Sequence, residues 1–206
     1  MVNKEGHVQA FVDWNYNGKT DIIAGTGATW IEKNLVWIAS ISAVLLYLYF
    51  YLSNRLDWPL WKYIVACIIA FDIGGGVVAN NLNSCKRFFH TPRREDEKGY
   101  VALLKNHIFF VSFHIHPIIV GLLYEGKEGL LYGLSWYFSM MIVSIIVLNV
   151  ALYLRRPIAM MAILWALIVN SYILLPVSGF EWLAPALFVK IVYGHIVREE
   201  PYRPKN

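Results

Sequence analysis

The chain has 206 residues, 58% of them hydrophobic and 16% charged, with a formal net charge of +4 and a mean hydropathy of +0.49. Soluble domains hold about 25% charged and about 45–50% apolar residues, so this composition excludes an ordinary soluble domain and points to an integral membrane protein. The excess of Lys and Arg follows the ends of the apolar runs and is no nucleic-acid signal, and Cys67 and Cys85 are too few for a disulfide framework.

In chain order, residues 1–33 are mixed polar and aromatic, without the basic start and apolar centre of a cleavable signal. Their aromatic and isoleucine residues predict a segment lying on the inner membrane face. Six apolar runs follow, over 34–53, 58–81, 107–124, 130–154, 157–176 and 181–197. Each is long enough for a bilayer core of about 30 Å at about 1.5 Å per residue. The expected fold class is all-α: a polytopic integral membrane bundle of six transmembrane helices over 34–197. A cytoplasmic or interfacial segment (1–33) precedes it and a cytoplasmic tail (198–206) follows. The one long connection, 82–106, is strongly charged.

Charge orients this bundle. With the N-terminus inside, 14 of the 18 Lys and Arg fall on inner segments, while Arg55, Lys62 and Lys127 fall outside and Lys190 lies within a run. That asymmetry, and the even number of runs, predict both termini in the cytoplasm of a plasma (inner) membrane protein. Trp58, Trp61, Tyr124, Tyr132, Trp136 and Trp182 fall near run ends and read as interfacial aromatics.

Polar residues gather in the inner half. Asp72, His114 and Lys190 are expected roughly 10–15 Å deep, with Asn149 at a similar level. A charge at such depth costs at least about 2.5–3.5 kcal/mol, so these groups should face the bundle interior and pair. Asp72 and Lys190 could form an ion pair that fixes helix register. Asn80, Asn83, His90, His107 and His195 form a shallower layer at the cytoplasmic mouth. His107 and His114, seven apart, share one helix face. His114 and His116 point apart on a regular helix, although Pro117 disturbs regularity there. The triplet Gly74-Gly75-Gly76 beside Asp72 predicts either close packing against more than one helix or an opened helix whose backbone lines a cavity.

The leading expectation is a membrane-embedded, metal-dependent enzyme, hydrolytic on a lipid or amphiphile and open to the cytoplasmic leaflet. Imidazoles and a carboxylate suit zinc or iron, which gives Asp72, His107, His114 and His195 as metal ligands. Asp72, Asn80, Asn83, His90 and Lys190 are the expected catalytic groups, for acid–base work and for orienting water or a carbonyl. The basic loop could hold an anionic headgroup. The alternatives are a proton-coupled small-solute transporter, an electron-transfer subunit holding haem between two histidines, and a structural subunit of a membrane complex. Expected partners are membrane lipids and a second copy of the chain, with no nucleic acid.

Overall fold

The computed structural model describes residues 10–16, 18, 20–95 and 97–204. Lys4, Lys19 and Lys205, three of the inner cations, lie outside these residues. The chain is mostly helical. Four helical stretches are long and apolar enough to cross a membrane, Trp30–Leu52, Leu60–Ala79, His107–Asn149 and Leu152–Tyr172, with a shorter apolar helix at Leu183–His195.

The first helix, α1 (Trp30–Leu52), starts four residues before the expected run. Its signal is a capping box: the Thr29 side chain accepts from Glu32 N, and the Glu32 carboxylate accepts from Thr29 N at 2.7 Å. Helix α2 (Leu60–Ala79) returns alongside it. The glycine triplet explains how close they come. A Cβ on Gly74 would lie 2.6 Å from Ala43 Cβ, and one on Gly75 would lie 2.1 Å from Ser40 Oγ. Gly76 faces elsewhere, towards Lys190. The triplet thus serves two interfaces, and α2 runs through it unbroken.

The stretch 107–149 folds back on itself. Helix α5 (His107–Ser112) is followed by α6 (His116–Val120) and a π-helical turn (Gly121–Glu125), after which α7 (Gly126–Asn149) departs. Gly126 makes the reversal at φ +66°, in the left-handed region that glycine tolerates. A Cβ on Gly121 would lie 2.1 Å from the Gly129 carbonyl oxygen, and Tyr137 Oη donates to Ser112 O at 3.1 Å, so the two arms pack antiparallel. Helix α8 (Leu152–Tyr172) follows, and the last apolar helix begins as α9 (Leu183–Leu187) and continues π-helically over Phe188–His195.

At one end of the bundle, aromatic rings interlock. Tyr47 donates to Gly179 O at 2.9 Å and accepts from Trp182 Nε1 at 3.2 Å, while Trp58 packs on Tyr47, Tyr124 and Phe180. Trp58, Tyr124 and Trp182 therefore form a cap across several helices. Tyr132 and Trp136, read from the sequence as interfacial, are buried in the core with Met140 and Phe188.

The opposite end carries short elements. These are α3 (Asn83–His90), α4 (Tyr100–Leu104) and the strands β1 (Ala10–Val12), β2 (Thr20–Asp21), β3 (Gly25–Thr26) and β4 (Tyr202–Pro204). Strand β1 pairs antiparallel with β4, so residues 10–12 and 202–204 lie at the same end of the bundle. β2 and β3 form a hairpin whose Gly25, at φ +81°, lies against the Ser84 backbone. Strands at 10–12, 20–21 and 25–26 tie this region to the rest of the chain, where the sequence suggested only a segment lying on a surface.

Candidate functional site

A cavity of about 490 Å³ lies between α1, α2 and the α5–α6 arm. Its walls are apolar: Trp37 and Phe71, packed edge to face at 5.7 Å, together with Phe110 and Phe113. Ile22 and Ile23, at the tip of the β2–β3 hairpin, close the end nearest α3 and α4. The polar lining comes from Asp72, Lys190, His114, His116, Asn80 and Ser40. Trp37, Phe71 and Phe113 are exposed on the outside of the bundle, so the cleft opens sideways between the helices.

Asp72 organises the polar side. Lys190 Nζ donates to its Oδ2 at 2.6 Å, and His116 Nε2 lies 3.2 Å from the same oxygen. The lysine side chain is 5% exposed, whereas the Asp72 side chain is 51% exposed. Among the described residues no partner reaches the other carboxylate oxygen, Oδ1. Two local devices bring Lys190 here. Its carbonyl accepts from Asn80 Nδ2 at 2.9 Å within the π-helical turn. Gly76 leaves room for the lysine stem, since a Cβ there would come within 2.2 Å of Lys190 Cε.

His116, which sequence reasoning left out of the site, reaches Asp72 because the helix breaks before it. The chain turns tightly at Phe113–Ile115, with Ile115 N donating to Phe113 O, and Pro117 opens the next helix. The break turns His114 and His116 into one cavity, their rings 5.6 Å apart. His114 is held by its own helix, Nδ1 lying 2.9 Å from Phe110 O.

The remaining histidines form a separate group. His107 Nδ1 and His195 Nε2 are 3.1 Å apart, and the His90 ring sits 4.9 Å from that of His107. Phe110 divides this group from the cleft, stacked on His195 at 4.0 Å and tilted against His114 at 4.9 Å. Ring contacts thus link His90 to His107 and His107 to His195 in a row. His90 Nε2 and His195 Nδ1 are buried without a hydrogen-bond partner among the described residues. Burial, reinforced by His107, Lys86 and Arg198, holds the His90 imidazole far below its ordinary value.

The expected metal set is thus distributed over two places: Asp72 and His114 line the cleft, while His107 and His195 pair beyond Phe110. Among the described residues no group of three or more His, Cys, Asp or Glu is arranged to hold a metal ion. Asn80, expected in the shallower layer, stands beside Lys190 and donates to its carbonyl. Asn83 is used differently, its Oδ1 accepting from Tyr202 N at 3.1 Å to hold the tail. Asn149 also leaves the layer: α7 ends there, and its side chain bonds back to Ile145 O at the exposed helix end.

Most cations of the basic loop bind the chain itself, although Arg87 Nη1 is buried without a hydrogen-bond partner among the described residues. Lys86 Nζ donates to the carbonyls of Gly194 and Val197, Arg87 Nε to Thr26 O, Arg93 Nε to Glu97 O and Arg94 Nη1 to Gly18 O. Lys105 pairs with Glu97 at 2.7 Å. Burial pushes the Lys86 ammonium down to about 8. No family model, no curated protein and no solved structure matches this chain.

Proposed function

We propose that the chain crosses the inner membrane six times with both termini in the cytoplasm, and that it is an enzyme acting by acid–base chemistry on a membrane amphiphile. The six crossings follow if the two arms of 107–149 and the short Leu183–His195 helix each count as one. The pairing of β1 with β4 supports an even number. The orientation rests on the distribution of Lys and Arg.

The observation that carries the functional reading is the half-open carboxylate in a sideways-opening cleft. Ligand sites are mostly apolar, with a few placed polar groups. Here a hydrocarbon chain would lie along Trp37 and Phe71, with its polar head at Asp72. Oδ2 is held by Lys190 and His116, which leaves Oδ1 to accept a proton or hydrogen bond from the substrate. Lys190 orients the carboxylate and balances its charge. Ionisable groups inside a membrane are functional by default, and this trio meets at an accessible surface.

The test is lipid analysis of protein purified gently in nanodiscs. Wild type is expected to retain a defined amphiphile, and a Trp37→Ala/Phe71→Ala variant to lose it. Equal lipid content in the two would remove the cleft as the site. The same preparations distinguish a second reading, favoured by the close approach of His107 and His195. Stoichiometric zinc or iron that disappears in His107→Ala and in His195→Ala would restore the metal-dependent hydrolase.

A further inference from the structure

We infer that the headgroup bound at Asp72 is uncharged and donates a hydrogen bond, as an alcohol does, and that phosphate-bearing and carboxylate-bearing lipids are rejected. This inference deepens the reading of the cleft as an amphiphile site and rests on it.

Charge balance is the first support. The Asp72–Lys190 pair carries no net charge, whichever partner holds the proton between them. An anionic head placed beside Oδ1 would meet the carboxylate with its cation already engaged on Oδ2 at 2.6 Å. Lys190 Nζ has a further donation to Asp72 O at 3.3 Å and its side chain is almost wholly buried, so two of its N–H groups are already engaged on Asp72. His116 Nε2 also lies against Oδ2, at 3.2 Å, and its Nδ1 is buried without a hydrogen-bond partner among the described residues.

The second support is the unmet acceptor. Oδ1 lies on a half-exposed side chain in a cleft whose other walls are largely apolar. In a low-dielectric setting an acceptor without a donor is costly. A hydroxyl supplies that donor at no cost in charge. The third support is the placement of the basic loop, the other source of cations for an anionic head. No Lys or Arg of residues 82–106 lines the cleft.

The experiment uses the full chain in phosphatidylcholine nanodiscs and three photoreactive probes. They share one long diazirine-bearing chain and end in an alcohol, a carboxylate or a phosphate monoester. Labelling is mapped by peptide mass spectrometry to Trp37, Phe71 and Phe113. The alcohol is expected to label these positions about tenfold more than either anion, the discrimination that about 1.4 kcal/mol provides. Asp72→Asn removes the negative member of the pair and presents Lys190 as an unbalanced cation, so the preference should invert towards the anions. An Asp72→Asn/Lys190→Met variant keeps the cleft uncharged, and should weaken alcohol labelling without gaining the anions.

Anionic probes that label wild type as well as or better than the alcohol would overturn the headgroup assignment while leaving the cleft an amphiphile site. Failure of all three to label the cleft would remove the amphiphile reading as well. The wild-type comparison decides both points even where a variant does not fold.

Discussion

The Asp72 cleft and the histidine row lie on opposite sides of one phenylalanine and solve the burial of polar groups in different ways. At Asp72, opposite charges come together at 2.6 Å and one carboxylate oxygen stays open to a cavity. In the row, His107 and His195 share one contact at 3.1 Å, while ring nitrogens of His90 and His195 have no partner among the described residues. Removing one member of a buried ion pair strands a charge, whereas removing one imidazole strands only a neutral donor or acceptor. The first centre is therefore fragile and chemically accessible. The second is enclosed and tolerant.

The largest effect should come from splitting the ion pair. Lys190→Ala is expected to lower stability by about 3–5 kcal/mol by leaving the Asp72 carboxylate with only the His116 ring beside it. Thermal unfolding in detergent reads this, and Asp72→Asn/Lys190→Met should recover most of the loss. A double variant as unstable as Lys190→Ala would show that the two residues do not act as a unit. Next comes Gly76→Ala, whose methyl group would press on the lysine stem. Overpacking costs about 1–3 kcal/mol, and the lysine can yield part of the way, so a smaller downward shift in Tm is expected. An unchanged Tm would mean the lysine stem relaxes freely.

In the row, His195→Phe leaves His107 Nδ1 without its partner and should cost about 1–3 kcal/mol. His107→Phe/His195→Phe should cost less than the sum of its single variants, because both polar groups leave together. Additive losses in chemical denaturation would place the two imidazoles in separate environments.

The smallest effect is a pH dependence carried by His90. Its folded value is depressed by burial, so the unfolded chain takes up the proton first as pH falls below the ordinary histidine value of 6.5. Stability is then complete above about pH 6.5 and declines with acidification. His90→Gln should flatten that decline. A wild-type melting profile unaffected between about pH 5 and 7 would indicate that His90 is already solvated.

Much of this arrangement was legible in the sequence because depth in a membrane is set by distance along a helix. The pairing of Asp72 with Lys190, and the use of the glycine triplet at more than one interface, follow from rise per residue and small-residue packing. What escaped were departures from regular geometry. A break at Phe113–Ile115 sends His116 to Asp72, and no periodicity encodes it; Pro117 was the available signal. The end of α7 at Asn149 lies inside a continuous apolar run, so composition extended that helix too far. Lysines and arginines that serve carbonyls look, in sequence, like those that await a ligand. The pairing of Ala10–Val12 with Tyr202–Pro204 joins residues almost a whole chain apart, beyond any local pattern.

That terminal pairing also imposes an order on biosynthesis. The β1 segment emerges from the ribosome before the helices described above, but its partner strand emerges only after the last of them. At about 5–20 residues per second, β1 waits roughly 10–40 s with its backbone groups unpaired. Closure of the two strands is then a late event that depends on every intervening helix having inserted. A truncated or misinserted chain would leave that strand exposed, a ready mark for membrane proteases.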